Sequence, residues 1–150
     1  MRNIAKSIAL LSTVLLIGLT GCAESEPFAF ANPTPDARSC SSTNSLVGQT
    51  RALRVSNLYG ISGDVTIVSD CEIEVSNFFY NGAGPNVSFY GASGGDFRGG
   101  INMSEVLNGR VWQGETLNLF LPEGSSFDEI NSFSVWCFEF DVDFSSTSFE

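Results

Sequence analysis

From Val47 onward, large apolar residues alternate with polar ones in short runs. Val65 and Ile67 alternate with Asp64 and Thr66, and Ile73 and Val75 with Glu72 and Glu74. Ser69-Asp70 lies between these runs, which is the pattern of a hairpin. Val87 and Phe89 flank Ser88. The longest case sets Trp136, Phe138, Phe140, Val142 and Phe144 against Cys137, Glu139, Asp141 and Asp143. A period of two means strands with one buried face. It predicts one strand running through Trp136 to Phe144, with Cys137 sharing a face with the carboxylates.

Asn81-Gly82-Ala83-Gly84-Pro85, Gly91-Ala92-Ser93-Gly94-Gly95 and Pro122-Glu123-Gly124 separate these runs and have turn-forming compositions. Helical periodicity is lacking, apart from one short turn suggested over 126–130. The prediction is an all-β fold, a single antiparallel β-sandwich or barrel-like domain over residues 47–150. Eleven of the chain's thirteen phenylalanines lie in this span and supply ample apolar surface for its core.

The first 46 residues follow a different plan. Arg2 and Lys6 precede an apolar run from Ile8 to Leu19, broken only by Ser12, Thr13 and Gly18. The run falls short of the roughly 20 apolar residues that cross a bilayer, and its basic start and small-residue exit describe a signal peptide over residues 1–21. The exit, Leu19-Thr20-Gly21-Cys22, resembles the bacterial lipobox. That resemblance implies a lipid on Cys22, whose acyl chains would tether the mature chain to a membrane. Ala23 rather than Asp follows, which resembles the signal for the outer membrane where the host has one. The expected location is therefore the extracytoplasmic side of the cell envelope. Residues 22–46, rich in Pro, Ser and Ala, read as a flexible spacer.

Charge narrows the partners. The whole chain carries a formal −10, and loss of Arg2 and Lys6 with the signal leaves five arginines against 17 acidic residues. Nucleic acid needs a basic surface and is excluded. The chain has no histidine, which removes Ser-His-Asp catalysis, histidine-ligated metals and bis-histidine haem. No cofactor and no metal site are evident, and no pair of carboxylates is spaced as an acid/base couple. Glu139, Asp141 and Asp143 would spread over about 13 Å of one strand, too far to share a calcium ion unaided. The expectation is no conventional catalytic activity.

Tyr59-Gly60-Ile61-Ser62-Gly63-Asp64-Val65, Asn77-Phe78-Phe79-Tyr80-Asn81-Gly82-Ala83-Gly84-Pro85, Leu121-Pro122 and Ser134-Val135-Trp136-Cys137 together resemble the DM-thirteen domain. This module occurs beside DOMON domains and in Skeletor. The resemblance implies a β-sandwich-like fold and a redox or electron-transfer role centred on Cys137, with Trp136 beside it as packing or as an electron-path neighbour.

With Cys22 lipidated, Cys40, Cys71 and Cys137 remain, enough for one bridge and one leftover thiol. Of three pairings, Cys40–Cys71 is favoured, because Cys40 ends the spacer and Cys71 opens a strand after a turn. Cys137 is then free. Carboxylates on its face would repel a thiolate, so it does not read as an activated nucleophile unless Arg51, Arg54, Arg98 or Arg110 folds beside it. A metal ligand, an oxidisable thiol and a buried small hydrophobe all remain open for it. The competing function is a non-catalytic surface module. It would hold a protein or glycan through exposed aromatics and the loops at Tyr80–Tyr90 and Gly91–Gly100.

Overall fold

The computed structural model describes residues 40–150; the signal peptide, Cys22 and most of the spacer lie outside them. Eight strands run β1 Thr50–Ala52, β2 Ser62–Ser69, β3 Glu72–Tyr80, β4 Val87–Ala92, β5 Ile101–Asn102, β6 Trp112–Phe120, β7 Ser132–Cys137 and β8 Val142–Ser148. They form two four-stranded antiparallel sheets, in the orders β1-β2-β3-β6 and β5-β4-β7-β8. The fold is an all-β sandwich, and no α-helix occurs among the described residues.

Alternation determines which faces meet. Val65 pairs with Val75 and Ile67 with Ile73, and those four side chains are fully buried. Leu117 and Leu119 of β6 continue the same rows. From the second sheet, Val87, Phe89, Phe133, Val135 and Cys137 face them across the core. Phe78 sits in the middle, with ring centroids 5.1 Å from Phe89, 5.5 Å from Trp112 and 6.3 Å from Tyr80. Burying such aromatic area is the main favourable contribution in so small a domain.

The outer face of the second sheet is also covered, so β7 is buried on both sides. Phe97, on a 3-10 turn at Phe97–Gly99, packs 5.9 Å from Trp136. Beyond Trp136, Asp143 accepts hydrogen bonds from Ser134 Oγ and Ser146 Oγ (2.7 Å each) and from Arg54 (2.8 Å). A half-buried carboxylate is kept charged by donors of this kind.

One expectation is overturned. No strand runs through Trp136 to Phe144. β7 ends at Cys137, Phe138–Phe140 form a 3-10 turn, Asp141 takes a left-handed conformation (φ 51°) and β8 returns antiparallel. Phe138 and Phe140 are consequently 55% and 66% exposed. The reversal happens to preserve the period of two, so the pattern runs across it undisturbed. Asp tolerates the left-handed region better than most residues, and supplies the turn without glycine or proline.

The ordered chain also begins before Val47. Asp70, in the β2–β3 turn, accepts hydrogen bonds from Ser41 Oγ, Thr43 Oγ1 (2.8 Å) and the backbone N–H groups of Thr43 (3.0 Å) and Asn44 (2.9 Å). Asn44 Nδ2 donates to Asp128 at 2.8 Å. Residues 41–46, spacer by composition, are thus held on the domain.

These donors, Ser41 first, hold the Asp70 carboxyl down at about 2 against an ordinary 3.8. The lowered value belongs to the folded state, so its stabilisation is present above the unfolded pKa and is lost as pH falls through about 4 towards 2. Asp70→Asn is expected to flatten the dependence of melting temperature on pH in that window. An acid titration of both proteins with the wild-type slope retained in the variant would refute this.

Candidate functional site

Cys137 closes β7, opposite Val87 of β4 and Val142 of β8. Its side chain points into the core and is fully buried. The thiol donates to the Pro85 carbonyl oxygen at 3.1 Å. It is the free cysteine of the described domain; Cys40 and Cys71 are joined in a disulfide with Cα atoms 5.6 Å apart.

What seals the thiol is the loop 81–86 between β3 and β4. The Tyr80 hydroxyl donates to the Ala83 carbonyl, and Ala83 N–H donates to Asn81 Oδ1 at 2.9 Å. Asn81 N–H in turn reaches the Tyr59 carbonyl at 2.9 Å, and Phe138 N–H reaches that of Asn86 at 3.0 Å. Gly82 lies so close to Arg110 that a side chain would collide with its backbone, and a Cβ on Gly84 would stand 3.0 Å from the Phe144 ring. Phe144 stacks on Tyr59, with centroids 3.7 Å apart. Pro85 and Asn86 are exposed, so on this side the loop lies between the thiol and water.

Tyr80 is the aromatic hydroxyl nearest in effect to the thiol. Burial, then the Cys137 and Tyr59 side chains, push its phenol up to about 12. It therefore stays neutral and keeps donating to Ala83 at any physiological pH.

The carboxylates expected on the thiol's face lie elsewhere. Glu139 and Asp141 belong to the turn, and Asp143 projects from the outer face beside Trp136. The arginines are likewise engaged: Arg54 with Asp143 (2.8 Å), Arg98 with Asp141 (3.2 Å), Arg110 over the Trp112 ring (3.5 Å) and Arg51 over the Phe149 ring (5.8 Å). Trp136 and Cys137, adjacent in sequence, sit on opposite faces of the sheet. No cluster of three or more metal-binding side chains occurs among the described residues.

Sequence reasoning singled out Cys137 but missed Tyr59, Tyr80, Pro85 and Phe144 around it. Asn81-Gly82-Ala83-Gly84-Pro85 was legible as a turn; that it covers a thiol follows only from the pairing of β4 with β7. Of the expected binding elements, Tyr80 is core, and the Gly91–Gly100 segment leaves β4 at the end away from Cys137 and folds back so that Phe97 reaches Trp136 and Arg98 reaches Asp141.

A family model described as Electron transfer DM13 matches residues 53–149. The chain belongs to the DM13 family. The matched segment takes in seven of the eight strands and the whole environment of Cys137. The DM13 domain is similar to part of two fruit-fly (Drosophila melanogaster) proteins, Protein Skeletor isoforms B/C and isoforms D/E, each 33% identical over 97 residues, or 60% of this chain. The chain spans only 12% and 6% of those relatives' lengths. No solved structure matches.

Proposed function

We propose that this DM13 chain is an electron-transfer module of the cell envelope, tethered by a lipid on Cys22 and working through the Cys137 thiol. The observation that carries the reading is one unpaired thiol, kept from bridging with Cys40 or Cys71, beneath a single loop in a domain of a family described by electron transfer. In the forward step the thiol gives one electron to an oxidised redox protein, which is thereby reduced, and its proton to water, leaving a sulfur-centred radical; a reduced donor protein returns one electron, water returns the proton, and the thiol is restored. The low-dielectric surroundings and the hydrogen bond to Pro85 protect the sulfur from the second thiol that would trap it as a disulfide.

With ferricyanide as the oxidant, the folded chain is expected to consume one equivalent and Cys137→Ser none. Equal consumption by the two proteins would end the assignment. Cys22→Ala is expected to abolish incorporation of radiolabelled palmitate and to release the chain from the membrane fraction. Labelling that survives the substitution would place the tether elsewhere.

Full burial of Cys137 favours a second reading, a non-catalytic module that binds a protein or glycan. Under it, ferricyanide consumption is absent in both proteins.

A further inference from the structure

Four loops meet at the Cys137 end of the sandwich. Residues 53–61 lead into β2, 81–86 join β3 to β4, 103–111 lead into β6, and 138–141 join β7 to β8. The register brings them together: Ser62 pairs with Phe79, Trp112 with Tyr80, and Val87 and Val142 both with Cys137. Their large apolar side chains do not all turn inward. Leu58 is 77% exposed and Val55 67%, and Val106, Val111, Phe138 and Phe140 stand out beside them. Among exposed large apolar residues of the described domain, only Val68 belongs to the opposite end. Exposed apolar residues are ordinary when scattered; gathered at one end of a small domain they mark a contact surface.

The charges around this face select its occupant. Arg54, Arg98 and Arg110 are each paired with a carboxylate, Asp143, Asp141 and Glu115 in turn. Glu105 and Glu139 are exposed and add further negative charge at the rim. A surface with an apolar centre and an acidic rim fits a partner with an apolar centre and a basic rim. The chain enters the described domain at Cys40, bonded to Cys71 in the β2–β3 turn, and β3 runs from that turn to the loop end. Its nine residues separate the two ends by about 26 Å at roughly 3.3 Å per step.

We infer that this loop end, opposite the Cys40–Cys71 bridge, is the docking face for a basic-rimmed protein. The partner's class, a redox protein, rests on the electron-transfer reading; the surface does not. Phe138 follows Cys137 directly and Leu58 precedes Tyr59, so a partner seated here approaches the thiol as closely as the fold allows.

The test is a titration of the isotope-labelled full chain with a basic c-type cytochrome, whose exposed haem edge is ringed by lysines. Amide shifts are expected within 53–61, 103–111 and 138–142, with affinity falling as salt rises. Phe138→Ser combined with Phe140→Ser is expected to weaken binding at least tenfold while leaving the rest of the spectrum unchanged, since both side chains are exposed. Cys137→Ser is expected to leave binding intact, so loss of the redox role and loss of the docking face are read separately. Shifts confined to the Cys40 end, no shifts, or equal binding to an acidic ferredoxin would overturn the proposal. So would the same loops contacting phosphatidylcholine vesicles, or self-association of the chain in sedimentation that the double variant abolishes.

Discussion

Gly82→Val is expected to destabilise the domain by about 3 kcal/mol or more, and to turn Cys137 from an unreactive thiol into one alkylated in the folded state. Gly82 has φ 76°, where an L-residue costs about 1–2 kcal/mol. Strain is the smaller part, because a Cβ there would lie 2.1 Å from the Arg110 carbonyl oxygen. That atom is backbone and is fixed by its neighbourhood, for Gly109 N–H donates to the Gly82 carbonyl at 3.1 Å. Something must move, and loop 81–86, which carries the added side chain and is bonded through Gly82 to Gly109, is displaced with it. Its displacement breaks the Cys137–Pro85 hydrogen bond and uncovers the sulfur on that side. Gly94→Ala is the control: φ is 60°, similar strain applies, but nothing lies within 4 Å of the added carbon. It is expected to cost about 1 kcal/mol and to leave the thiol protected. Denaturant melts with iodoacetamide labelling of all three proteins check both halves. Identical labelling of Gly82→Val and wild type would mean that loop 81–86 is not the barrier.

That the barrier depends on a backbone carbonyl 28 positions away explains what the sequence shows of this site and what it hides. Strands are legible wherever one face is buried and the other wet, as with Val65, Ile67, Ile73 and Val75, because alternation is then enforced residue by residue. β7 defeats that logic: Phe97 and the Asp143 network cover its outer face, so Ser132 and Ser134 are as buried as Phe133. The reversal after Cys137 defeats it differently. Asp141 supplies the turn alone, and the alternating phenylalanines on either side disguise a hairpin as one strand. The thiol's surroundings were therefore misread as carboxylates, when the hairpin sends those outward. The exposed apolar face is hidden for a third reason. Val55, Val106 and Phe138 each look unremarkable in their own segments, and only the antiparallel pairing of four loop-bearing strands assembles them.

The bridge at the opposite end carries the second large effect. Replacing Cys40 and Cys71 together by serine is expected to cost about 3–4 kcal/mol, because the bridge closes a loop with a sequence separation of 31 and removes that loop's entropy from the unfolded chain. For a domain of this size the melting temperature falls by roughly 15 °C. The native end does not come apart with it. Asp70 still gathers Ser41, Thr43 and Asn44, and the Leu121 N–H still donates to the residue 71 carbonyl at 2.9 Å, so the β2–β3 turn keeps its place. The loss belongs mostly to the unfolded state, and Cys137 should stay sealed. Thiol counts with Ellman's reagent test this partition directly. The unreduced described domain is expected to show no reactive thiol when folded and one after unfolding, and the double serine variant the same. If the variant exposes its remaining thiol while still folded, the two ends of the sandwich are coupled. The bridge would then stabilise the loop over Cys137 and not merely constrain the unfolded chain.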